Sequence, residues 1–69
     1  MNVKFNHPTK DFNRAYLEDH ILGIPCVGDF IKFEQDIEEK VYEVKKITWH
    51  VQNNSTYDAY VEVEIIDAE

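Results

Sequence analysis

Three histidines, one cysteine and fourteen carboxylates are the side chains of this 69-residue sequence that could do chemistry. A structural zinc site takes four ligands, commonly as two close pairs in sequence. His7, His20, Cys26 and His50 stand singly along the chain, so only the fold could gather them, and ordinary surface or partly buried histidines are expected. Cys26 as a nucleophile would need a neighbouring base and a setting that favours the thiolate. Pro25 and Val27 flank it with apolar groups, and a small packed residue is expected instead. Glu62 and Glu64 have the spacing of neighbours on one side of a strand, which exposed acids on solvated sheets commonly share. With only Gly23 and Gly28, the chain has no glycine-rich loop to cradle a phosphate. Catalysis, a bound metal and a cofactor are therefore not expected.

Recognition is the other chemistry available. Seven Lys and Arg stand against fourteen Asp and Glu, a net charge of −7. Residues 1–33 carry four of each sign, whereas residues 34–69 carry three cations against ten acids. Nucleic-acid backbones are bound by clustered cations that displace counterions, so direct DNA or RNA binding is not expected. Within the acidic half, Tyr60 lies between Asp58 and Glu62 on the polar side of an alternating segment. Tyrosine offers a flat apolar body with a polar tip, which suits protein interfaces. Tyr60 with Asp58, Glu62, Glu64 and Tyr42 (or Phe30) is the candidate partner-binding patch, acidic and aromatic.

The elements that would position these residues read mostly as strands. Tyr57, Ala59, Val61, Val63 and Ile65 share one parity, the period-two signature of a half-buried strand. The polar run Gln52–Thr56 before it supplies loop residues. In the preceding segment Tyr42 and Val44 share one parity, while Ile47, Trp49 and Val51 share the other. One extra residue at Lys45-Lys46, a β-bulge, would turn both sets toward one core and bend the strand. Trp49 is then expected at the centre of that core. Asp29–Glu34 forms a third strand, joined through the acidic, solvated connection Gln35–Lys40. Val3 and Phe5 mark a short N-terminal strand, and His7-Pro8-Thr9-Lys10 a loop. Residues 11–22 fit either a short helix capped by Asp11 or a strand. No window supplies the ~20 apolar residues needed to cross a bilayer. The single cysteine and the absence of a signal-like apolar run near Met1 point to a cytoplasmic protein, and 69 residues supply core enough for a single domain.

Pro25-Cys26-Val27-Gly28-Asp29-Phe30-Ile31 has its own logic. Pro25 stiffens the entry, Gly28 allows a positive φ, and Asp29 can accept turn amides before Ile31 enters the core. Followed by Tyr42-Glu43-Val44-Lys45-Lys46-Ile47-Thr48-Trp49, it resembles small, mostly uncharacterised bacterial and phage proteins with a P-x-V-G-D-x-I entry and a Y-x-V-x-x-I-x-W strand. The resemblance spans residues 25–66 and implies a fold more than an activity: a mainly β, five-stranded barrel of the Src-homology-3 (SH3-like) type. The signalling members' Ala-Leu-Tyr-Asp-Tyr stretch and paired tryptophans are absent, so proline-rich peptide recognition is not implied. Three functions stay open: a non-enzymatic protein-binding module, an acidic nucleic-acid-mimicking inhibitor of a defence or transcription enzyme, and a small self-associating assembly protein.

Overall fold

The computed structural model describes residues 1–51 and 59–68. Five strands form one curled sheet: β1 (Asn2–Asn6), β2 (Asn13–Leu17), β3 (Phe30–Lys32), β4 (Val41–His50) and β5 (Tyr60–Asp67), in the order β2-β1-β5-β4-β3. β1 and β2 form one antiparallel hairpin, and β3, β4 and β5 an antiparallel meander. A parallel β1–β5 pair joins the two units. The sheet is a half-barrel, consistent with a small SH3-like barrel whose seam between β2 and β3 is open. Tyr57, Asp58 and the expected Gln52–Thr56 loop lie outside the described residues.

Alternation selects the core. Val61, Val63 and Ile65 are buried, and the register sets Val61 beside Val3 and Val63 beside Phe5 on the same side. Phe33, Tyr42 and Val44 complete this core, with Phe12, Tyr16, Ile21, Ile31 and Ile47 packed against it. Full burial of an aliphatic or Phe side chain contributes about 1.5–3 kcal/mol, so these few residues carry most of the folding drive. The bulge expected at Lys45-Lys46 is present. The β4–β5 register slips between Val44 and Lys46, so Val44 lies across from Ile65 and Ile47 from Val63, both toward the core.

Residues 11–22 contain both expected elements in succession: β2, then a 3₁₀ turn over Glu18–Ile21. Asp11 caps neither. That turn ends at Leu22, whose φ of 61° is left-handed. The expected third strand is shorter than Asp29–Glu34, and β3 pairs only with Val41–Glu43. Among the described residues the rest of β4 therefore has no strand on that side, which corrects the place expected for Trp49. By register it faces inward beside Val61, yet it is 54% exposed, since among the described residues no strand pairs with that stretch of β4. Cys26 is likewise exposed, not packed, because it sits in the turn that precedes β3. Gly28 (φ 95°) and Asp29 act as expected, Asp29 Oδ2 accepting the Cys26 N–H at 2.8 Å. Among the described residues no helix is long and apolar enough to cross a membrane.

Candidate functional site

The outer face of β5 carries Tyr60, Glu62 and Glu64 together, as expected. Its neighbours change the character of that face. The register places Asn2, Lys4 and Asn6 on one flank and His50, Thr48 and Lys46 on the other. The His50 ring stacks on Tyr60 with centroids 4.2 Å apart and planes within 8°. Lys4 Nζ lies 4.1 Å from the same centroid. A parallel ring at that spacing leaves no room for an ammonium on its own side, so Lys4 covers the opposite face of Tyr60. Glu62 is also engaged: Asn6 Nδ2 donates to Oε2 at 2.7 Å, and His50 Nε2 lies 3.2 Å from Oε1. Glu64 stands in register with Lys46 and Asn6. The face interleaves cationic and acidic side chains, and Tyr60 and Glu62 on it already have partners within the chain.

Tyr42, expected in this patch, is not there. It is 5% exposed on the inner side, against Phe12 and Phe33. Tyr42 shares the inward face of Val44 by the period-two alternation that precedes the bulge. Asp58 lies outside the described residues. Phe30 is at the free edge of the sheet and 68% exposed.

A second cluster joins the β1–β2 loop to the end of β5. Thr9 donates its N–H to His7 Nδ1 at 3.2 Å, which leaves the ring proton on Nε2, 3.4 Å from Asp67 Oδ1. Thr9 Oγ1 lies 3.3 Å from the same Nδ1. Carboxylate, imidazole and hydroxyl thus stand in the order of a nucleophilic triad. The Nδ1 lone pair is held by a backbone amide, however, and Lys10 clamps Asp67 at 2.8 and 3.0 Å. The Lys10 hydrogen bond lowers the Asp67 pKa; desolvation opposes it, and the Lys10 charge adds to the lowering. This arrangement ties a loop down instead of activating a hydroxyl. Among the described residues no three His, Cys, Asp or Glu side chains gather as metal ligands.

The open seam is the site that no sequence pattern marked. Its far end is bridged: Arg14 pairs with Asp36 at 2.9 Å, and Gln35 Nε2 donates to the Tyr16 hydroxyl at 3.1 Å. The Asp36 hydrogen bond raises the Arg14 pKa further, against desolvation. Beside these bridges a groove of about 350 Å³ opens between Tyr16 and Ile21 on one wall and Phe30–Lys32 on the other. Phe5 and Phe33, both buried, form its floor. A shallower extension runs past Ile24 and Pro25 to Leu22, which is 99% exposed. A fully exposed leucine in a left-handed conformation combines two unfavourable features, and strain of that kind concentrates at functional surfaces. No protein-family model matches the chain, nor does any curated protein or solved structure.

Proposed function

We propose that the chain is a non-enzymatic protein-binding module, of the bacterial or phage kind its motifs resemble, that engages its partner through the seam between β2 and β3. One observation carries the reading: an apolar groove opens directly onto core rings and is flanked by exposed Phe30 and Leu22. Apolar pockets with a few polar groups at their margin are the usual form of a binding site. The outer face of β5 is the weaker surface, because Tyr60 and Glu62 already have partners within the chain. The same interleaving of Lys4, Lys46 and His50 with Glu62 and Glu64 speaks against a nucleic-acid mimic, which needs an unbroken acidic array. The single cysteine fits a reducing compartment such as the cytoplasm.

Panning a random peptide library against the full chain tests this. Selected peptides should lose binding to Phe30→Ser and Leu22→Ser and keep it with Tyr60→Ala. The opposite pattern returns the site to the outer face of β5.

A further inference from the structure

We infer that the seam takes an extended peptide segment, apolar at its centre and basic at both ends, which adds as a strand along the free edge of β3. The inference rests on the seam being the binding site and specifies what occupies it.

The backbone sets the shape. Asp29 accepts the Val44 N–H, so by antiparallel alternation Ile31 is the next residue to pair with β4. The N–H and C=O groups of Phe30 and Lys32 then point away from the sheet, into the groove they line. An unpaired strand edge is a template for another strand. The free edge of β4 beyond Val44 is protected, since it carries the bulge and the exposed pair Lys45-Lys46, both of which discourage pairing. β3 has no bulge of its own at Phe30-Ile31.

Charge sets the composition. Three of the four cations in residues 1–33 reach acids of the second half: Lys10 to Asp67, Arg14 to Asp36 and Lys32 to Glu39. The fourth, Lys4, covers Tyr60. Glu18, Asp19 and Asp29 are left with no ion pair among the described residues. Glu18 and Asp19 belong to the 3₁₀ turn whose Ile21 lines the groove, while Asp29 and Glu34 bracket β3 at its two ends. The one cation on the groove's lining, Lys32, is drawn to Glu39, so Asp29 and Glu34 leave an acidic margin at the two ends of β3 beside an apolar floor. A second copy would bring an equally acidic margin, so like charges disfavour self-pairing here.

Titration of the ¹⁵N-labelled full chain with three seven-residue peptides tests the inference. One has three central valines with two lysines at each end, one has glutamates in place of the lysines, and one is the lysine peptide with alternate amides N-methylated. The lysine peptide should shift the amides of Tyr16 and Phe30–Phe33 and bind about fivefold or more tightly than the glutamate peptide at low salt, the gap closing at high salt. The N-methylated peptide should lose most of that binding. Equal binding by lysine and glutamate peptides overturns the basic occupant, and undiminished binding after N-methylation overturns strand addition; either leaves the seam as the site. Shifts confined to β5 and its neighbours, or no shifts at all, overturn the seam itself.

Discussion

Leu22 concentrates the tension between stability and recognition in one residue. Its side chain is fully exposed, so truncation removes no burial, and its φ of 61° strains any residue with a Cβ. Leu22→Gly should therefore raise stability by up to about 1 kcal/mol in chemical denaturation. The same change should weaken peptide binding at the seam. Asp67 offers a residue-scale test of the loop tie. Its pKa is lowered in the folded chain, chiefly by Lys10, so the pairing stabilises the fold above the ordinary carboxylate range and is lost as pH falls through the lowered value. In Lys10→Met the Asp67 titration followed by NMR should move up toward the ordinary carboxylate value. The stability difference between native and variant chains should be largest at neutral pH and vanish in strong acid. Neither feature was legible in the sequence. Leu22 reads there as one more apolar residue before a glycine, and the Lys10–Asp67 pair joins residues that only the fold brings together. Tyr42 and Cys26 misled for local reasons, one turned inward and the other exposed in a turn.

At the scale of elements the sequence was more readable. The parity switch between Val44 and Ile47 located the bulge, and the alternation from Val61 to Ile65 located the central strand, because a buried sheet face imposes period two directly on the residue types. Lys45 is the extra residue, and it points to solvent. Lys45→Ala should change stability by no more than about 0.5 kcal/mol, as for other surface substitutions. Deleting Lys45 should be far worse, because Ile47 and Trp49 would turn to the outer face; circular dichroism and thermal melts separate the two outcomes. A deletion tolerated as well as the alanine variant would mean that the bulge does not set the register. Strand lengths were less legible than strand existence. The shortness of β3 depends on where its chain leaves the sheet toward Phe33 and the Arg14–Asp36 bridge, a tertiary matter. That shortness also explains Trp49, whose inward parity was readable and whose exposure was not.

At the scale of the whole molecule, the topology makes the candidate site. Because β2 and β3 are the two ends of the sheet order, curling leaves one open seam, and the core rings Phe5 and Phe33 come to its floor. The net charge acts at this scale as well. Its sequence asymmetry suggested an acidic second half, whereas the fold pairs three of those acids with cations of the first half and leaves Asp29 and Glu34, at the two ends of β3, with no ion pair among the described residues. Strand-edge closure at β3 is the central claim, and backbone amide hydrogen exchange with and without the lysine-flanked peptide tests it most directly. Phe30 and Lys32 should exchange rapidly in the free chain and become protected in the complex, while Tyr60 and Glu62, already paired with β1 and β4, stay unchanged. Unaltered exchange at Phe30 and Lys32 under saturating peptide would contradict it.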